Sequence, residues 1–255
     1  MLTEQDIIDL REGGRRLVAI FQVLKARVRP GTNLLELEKL ANDEANKLGG
    51  IPSFKGYHGY PAALCLSPNH TIVHGIPADY LLRDGDILAI DMGLYYKGWH
   101  TDAAITLPIG EIAPEAKRLL AGTYAALLAG TDAVRPGNRI QDISRSIEKV
   151  LRGRHLTIFR NLVGHGVGRE LHLDPMIPNF DPGRPGPAIH PGMTLALEPI
   201  AGLGSEDTRE LSDGWTIETV DGRLAAHFEH TILVTPDGPE VLTPLETLID
   251  GQKTP

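Results

Sequence analysis

Four carboxylates stand at matched places in two stretches of this chain, each ending or opening an apolar strand. The first stretch carries Val73-His74-Gly75-Ile76, then Asp86-Ile87-Leu88-Ala89-Ile90-Asp91, then Thr101-Asp102-Ala103-Ala104-Ile105-Thr106-Leu107. The second carries Gly164-His165-Gly166-Val167, then Gly192-Met193-Thr194-Leu195-Ala196-Leu197-Glu198, then Phe228-Glu229-His230-Thr231-Ile232-Leu233-Val234. The order is the same both times: His-Gly, an apolar strand running into an acid, and an acid opening a second apolar strand. Asp91 thereby matches Glu198, Asp102 matches Glu229 and His74 matches His165. An unpaired charge beside a core is costly. Four of them in a repeated frame point to one shared compensating partner, and a metal centre is the simplest.

The set Asp91, Asp102, His165, Glu198 and Glu229 is rich in oxygen donors and poor in nitrogen. It suits Mn²⁺, Fe²⁺, Co²⁺ or Zn²⁺ and disfavours a thiolate site. Four carboxylates overcharge one divalent ion, whereas two ions bridged by two of the carboxylates come near neutrality. Ions paired in this way lie roughly 3.5–4 Å apart and hold a bridging water or hydroxide, a nucleophile at neutral pH. Taken singly, each acid has a structural reading as well: Asp91 as a turn cap at a strand end, Glu229 as a member of a surface ion pair. The repeat favours the metal. His74, in the frame position of His165, is expected across the same cleft. A neutral imidazole there donates a hydrogen bond to a scissile amide or to a developing oxyanion. His172 follows in the same segment as His165.

The elements that must position these groups follow from apolar spacing. An amphipathic helix is expected over 3–28, with Thr3 as N-cap ahead of Asp6. Arg29-Pro30-Gly31 ends it, and Thr32 opens a second helix over about 34–48, closed by Gly49-Gly50. Ala63-Leu64-Cys65-Leu66 reads as a short strand, and 87–94 with 100–107 as a hairpin about a turn near Lys97-Gly98. A third helix is expected over 115–130, begun by Pro114. Val134-Arg135-Pro136-Gly137 nearly repeats Val28-Arg29-Pro30-Gly31. A helix follows each, marked by Leu34, Leu37 and Leu40 and by Ile140, Ile143, Ile147 and Val150. The proline-rich stretch 179–192 reads as a surface loop, and Asp213-Gly214 precedes a strand starting at Trp215. Two pseudo-equivalent halves, about 1–110 and 111–255, thus form one catalytic domain. The expected class is α+β, with a central antiparallel-type sheet and outer helices.

Composition narrows the function classes. Hydrophobic content of 42% and charged content of 23% over 255 residues are ordinary for a globular protein. A net charge of −8 argues against a broad nucleic-acid-binding surface. A lone cysteine, Cys65, rules out an intrachain disulfide and fits a reducing compartment. The apolar run from Leu17 to Leu24 is interrupted by Gln22 and is too short to span a membrane. A cytoplasmic location is expected.

Tyr57-His58-Gly59-Tyr60-Pro61, Val73-His74-Gly75-Ile76-Pro77, Asp86-Ile87-Leu88-Ala89-Ile90-Asp91, Gly164-His165-Gly166-Val167-Gly168, Leu197-Glu198-Pro199 and Glu229-His230-Thr231 together resemble the methionine aminopeptidases. The match is to the short bacterial type I form and runs over nearly the whole chain. The resemblance implies the pita-bread fold and two divalent ions, Co, Mn, Fe or Zn. It implies removal of initiator methionine from the N-termini of nascent polypeptides, with a small second residue favoured. It also implies a monomer in transient contact with the ribosome, with no membrane or direct nucleic-acid partner. By the same resemblance, Asp91 chelates one ion, His165 and Glu198 hold the other, and Asp102 and Glu229 bridge. Glu198 also shuttles a proton for the bridging water, His74 contacts the substrate amide, and His172 stabilises the carbonyl oxygen as it becomes tetrahedral. Tyr57, Tyr60, Cys65 and Trp215 line the pocket for the methionine side chain. Leu171 lies where family members usually carry an aromatic, and Phe54 where a cysteine is sometimes found, so both bear on pocket shape. Nothing around Cys65 in the sequence activates it as a nucleophile.

Two other readings stay open at this level. An Xaa-Pro peptidase on the same fold usually carries a further N-terminal domain, for which 255 residues leave no room. A non-catalytic binding protein tends to lose metal ligands, whereas all five stand in this chain.

Overall fold

Thr3 and Asp6 cap the first helix reciprocally. The Asp6 N–H donates to Thr3 Oγ1 at 3.2 Å and the Thr3 N–H to Asp6 Oδ2 at 2.9 Å. The computed structural model describes residues 2–249. In it α1 spans Glu4–Arg27, with Leu10, Leu17, Phe21 and Leu24 on its buried side. α2 spans Leu34–Lys47. Its N-cap is Asn33, not Thr32: Asn33 Oδ1 accepts the Leu35 N–H at 2.9 Å. The Thr32 hydroxyl instead donates to the Arg27 carbonyl at 2.8 Å, closing the end of α1.

Strands β1 (Ile51–Pro52), β2 (Cys65–Pro68) and β3 (Thr71–Val73) follow. β2 starts later than the apolar run foretold, because the Ala63 N–H is held by the Glu38 carboxylate of α2 at 3.0 Å. The hairpin β4 (Ile87–Tyr96) and β5 (Trp99–Pro108) turns at Lys97-Gly98, with φ of 48° and 89°. Then come α3 (Pro114–Asp132) and α4 (Ile140–Gly153), followed by β6 (Thr157–Ile158), β7 (Val163–Gly166), β8 (Leu173–Pro178) and β9 (Thr194–Leu197). The chain continues through β10 (Ile200–Gly202), β11 (Thr208–Glu210), β12 (Ile217–Thr219), β13 (Ala225–His227), β14 (Glu229–Thr235) and β15 (Gly238–Val241). β12 begins after Trp215 because Asp213 Oδ1 takes the N–H groups of Trp215 and Thr216, both at 2.8 Å, and holds them in a turn.

Among the described residues the main sheet runs β1-β4-β5-β14-β9-β7-β8, with β15 also on β14 and β2 also on β4. Its pairings are antiparallel, as expected. Successive side chains on a strand alternate faces. Leu88, Ile90, Met92 and Leu94 of β4 and Ala103, Ile105 and Leu107 of β5 therefore enter the main core. Asp91, Asp102 and Ala104 point to the other face. α1 packs on β4 and β5, α3 packs on α4, and α4 packs on β8.

The sheet carries the repeat seen in the sequence. Exchanging β4 with β9, β5 with β14 and β2 with β7 maps one half onto the other. The two Arg-Pro-Gly turns match as well. Gly31 (φ 87°) donates to the Leu82 carbonyl at 2.7 Å and Gly137 (φ 93°) to the Ile189 carbonyl at 3.2 Å. Each is followed by an isolated bridge, Asn33 to Leu81 and Arg139 to Ala188.

Candidate active site

Two rows of side chains cross the polar face of the sheet. In one, Cys65 pairs with Asp91, Asp91 with Ala104, and Ala104 with Glu229. In the other, His165 pairs with Ala196 and Ala196 with Thr231. Thr231 Oγ1 then accepts the Asp102 N–H at 2.7 Å and donates to the Asp102 carbonyl at 2.8 Å. Small residues at Ala104 and Ala196 leave open space between the acids. Glu198 directly follows β9, and its carbonyl accepts from Asn179 Nδ2 at 2.9 Å. Asn179, read from sequence as part of a surface loop, is buried.

Glycine permits the close strand approach at His165. A Cβ on Gly164 would stand 2.5 Å from the Ala196 carbonyl, and one on Gly166 2.4 Å from that of Asp174. His165 Nδ1 lies 2.8 Å from the Gly166 carbonyl. It donates there, which leaves the Nε2 lone pair free, 3.5 Å from Glu198 Oε1.

Donor atoms of Asp102, His165 and Glu229 all lie within 4.8 Å of one another. Asp91 and Glu198 flank this group from opposite sides, on β4 and at the end of β9. All four acids are hard to ionise as they stand. Burial pushes Asp91 up, helped by Asp102 and Glu198, and pushes Glu229 up, helped by Asp102, Glu198 and Asp91. Burial and then Asp102 raise Glu198, and burial raises Asp102 to about 7. Asp91 Oδ1 and Glu229 Oε1 are buried with no hydrogen-bond partner. Among the described residues, the ion-pair partners of these acids are histidines only. Crowded carboxylates with bare oxygens and one tautomer-fixed imidazole fit a divalent-cation centre.

The five groups line a cavity of about 680 Å³ together with His74, His172, Tyr57, Tyr60, Cys65, Leu171 and Trp215. Every site residue singled out from the sequence is therefore brought to one place. The equivalence of His74 with His165 is corrected. His74 follows β3 at φ 58°, outside the main sheet. Ser67 of β2 pairs with Ala89 as His165 of β7 pairs with Ala196, so Ser67 is the sheet counterpart of His165. His74 nonetheless reaches the cavity because Gly75 packs tightly on β2, where a Cβ would be 2.3 Å from the Leu66 carbonyl. Burial, then His172, lowers His74 to about 4, and burial, then His172, lowers His165 to about 4, so both are neutral at pH 7. His172 Nδ1 lies 2.9 Å from the Tyr57 hydroxyl, and its ring stands 4.3 Å from that of His165.

Phe54, Tyr60, Ala62, Cys65 and Leu171 form a small apolar cluster apart from the main core, with Tyr57, Ile76 and Trp215 at its edge. Tyr60 anchors it. The ring of Trp215 stands edge-on at 5.1 Å and that of Phe54 at 6.5 Å, and the Tyr60 hydroxyl reaches the Gly75 carbonyl at 3.0 Å. Burial, then Asp91, pushes the Cys65 thiol up, so it stays protonated and is no nucleophile.

Among the cavity residues not singled out from sequence, a buried histidine stands beside the acids. His227 is 2% exposed, and its Nε2 lies 3.7 Å from Glu198 Oε2 and 3.9 Å from Glu229 Oε2. Its signal was its place two residues before Glu229, at the end of β13 where Glu229 opens β14. Burial, then His74 and His165, lowers it to about 3.

A model of metallopeptidase family M24 matches residues 9–236. The chain is 43% identical over 245 residues to the methionine aminopeptidase of Clostridium perfringens, covering 95% of this chain and 98% of that one. It is 42% identical to methionine aminopeptidase 1 of Bacillus subtilis, covering 94% and 97%. The crystal structure of the methionine aminopeptidase from Thermotoga maritima superposes with a TM-score of 0.92 at 39% identity, covering 95% of this chain and 98% of that one.

Proposed function

Because the chain belongs to metallopeptidase family M24 and, within it, to the methionine aminopeptidases, whose pita-bread fold it shares, we propose that it removes the initiator methionine of nascent polypeptides in a metal-dependent hydrolysis that favours a small second residue. The observation that carries this reading is the group of buried, mutually repelling carboxylates with bare oxygens, set beside a separate apolar cluster. The acids would hold the cation and the cluster the methionine side chain. The second-residue preference comes from the family resemblance.

In this reading Asp91 would hold one ion and His165 and Glu198 a second, with Asp102 and Glu229 serving both. Bound there, two divalent ions would supply a hydroxide at neutral pH and polarise the scissile carbonyl. Glu198 takes the proton from the attacking water and returns it to the leaving amine. The neutral His74 donates a hydrogen bond to the substrate amide. Tyr57 donates to His172 Nδ1, which leaves the Nε2 proton of His172 directed at the carbonyl oxygen as negative charge builds on it. Phe54, Tyr60, Cys65, Leu171 and Trp215 exclude water around the thioether.

The test is release of free methionine from Met-Ala-Ser and Met-Lys-Ser peptides by stripped protein reloaded with Mn²⁺, Co²⁺ or Fe²⁺. Metal-dependent cleavage of the first and not the second is expected. Absence of cleavage with any of the ions, by folded protein, refutes the reading.

A further inference from the structure

We propose that His227 is a sixth ligand side chain of the metal centre, giving the ion held by His165 and Glu198 a second imidazole. This rests on the reading of the carboxylate group as that centre. His227 Nε2 is buried and has no hydrogen-bond partner. It lies 3.7 Å from Glu198 Oε2 and 3.9 Å from Glu229 Oε2. Both separations exceed a hydrogen bond, for which about 2.7–3.2 Å is usual. They match the spacing of co-ligands: two donors bonded to one ion at about 2.0–2.2 Å stand roughly 3–4 Å apart.

His165 supplies an internal standard. Its Nε2 stands 3.5 Å from Glu198 Oε1, so the two imidazoles flank the two oxygens of one carboxylate at nearly the same distance. The position of His227 is fixed by its backbone. Its N–H donates to Thr106 Oγ1 at 2.9 Å, Thr106 Oγ1 donates to its carbonyl at 2.8 Å, and it pairs with Ile200 across β13 and β10. The ring is therefore held over the acids by the sheet. Glu229, two residues on at the start of β14, lines the same cavity.

The test counts imidazoles. Protein carrying one equivalent of Co²⁺ is examined by X-ray absorption, which reads imidazole scattering around the ion independently of turnover. Co²⁺ affinity is measured by calorimetry for wild type and His227→Gln. Scattering from two imidazoles in the wild type, falling to one in the variant with affinity lower by about 10–100-fold, is the expected result. Scattering from one imidazole in the wild type overturns the proposal while leaving the metal centre standing. Wild-type protein that holds no Co²⁺ overturns both. The wild-type count decides the question even where the variant does not fold.

Discussion

Strands β4 and β5 in the first half and β9 and β14 in the second each bring two carboxylates to the shared face, but their neighbours differ. Beside β9, β7 supplies His165; beside β4, β2 supplies Ser67 at the matching place and Cys65 next to Asp91. The second half adds His227 to the polar group, whereas the first adds Phe54, Tyr57, Tyr60, Ala62 and Cys65 to the apolar cluster. The frame is thus symmetric and the chemistry is not. Acids are shared across the pseudo-dyad, three of the four cavity imidazoles (His165, His172 and His227) come from the second half, and the apolar cluster is built mainly on the first. In the proposed function, a methionine side chain held on one half would set its amide over the acids of both.

The sharpest test of this division is metal removal. Stripped protein is expected to lose all measurable methionine release and to regain it on reloading. The same treatment has a signed effect on stability. The four acids have raised folded-state values, so between their ordinary range and about 7 for Asp102 the native apo protein binds more protons than the unfolded chain. These groups therefore destabilise the apo fold increasingly as pH rises through that window. The rise in Tm on adding metal should be larger at pH 7.5 than at pH 5, and an equal or smaller rise would contradict it.

Next in size are the groups assigned to the chemistry. Glu198→Ala and His74→Ala should each lower kcat by ~10²–10⁴. Unchanged turnover with metal retained would remove either residue from the mechanism. Substitution in the apolar half should behave differently. Phe54→Ala is expected to raise KM for Met-Ala-Ser by roughly tenfold, the scale for losing apolar contact in a side-chain pocket, with metal content and kcat little changed. A fall in bound metal would break the proposed separation of labour. Tyr57→Phe, which leaves His172 Nδ1 without its partner, should lower kcat by about 3–10-fold, the worth of one hydrogen bond.

The smallest effect concerns the matched helices. α2 is capped by the side chain of Asn33, whereas at α4 Asp142 reaches back to the Arg139 N–H at 2.8 Å. Asn33→Ala should cost about 1 kcal/mol in chemical denaturation, with Thr32→Ala leaving that cap intact. A cap loss on Thr32→Ala instead would restore the reading made from sequence.

Much of this was legible in the chain because it is local. Alternating apolar residues orient Asp91, Asp102, Glu198 and Glu229 to one face wherever their strands go, and helix periodicity and capping residues mark α1 to within a residue. The errors came where local signals compete. Thr32 and Asn33 are both good caps, and the choice fell to Asn33 because Thr32 was drawn to the end of α1. His74 and His165 share a His-Gly motif, yet the motif records close packing against a neighbouring strand, not equivalent places in the sheet.

The sequence by itself determined the side-chain directions, the ligand types and the repeat, since these depend on the two-residue period of a strand and on the residues themselves. Tertiary structure alone decided which groups touch. Cross-strand register set Cys65 beside Asp91 and Ala104 between Asp91 and Glu229, and long-range packing put the Tyr57 hydroxyl on His172 and His227 over Glu198. Those neighbours come from strands and loops far apart along the chain, and no local preference fixes the distance between them; it follows from how the strands pair and the helices pack.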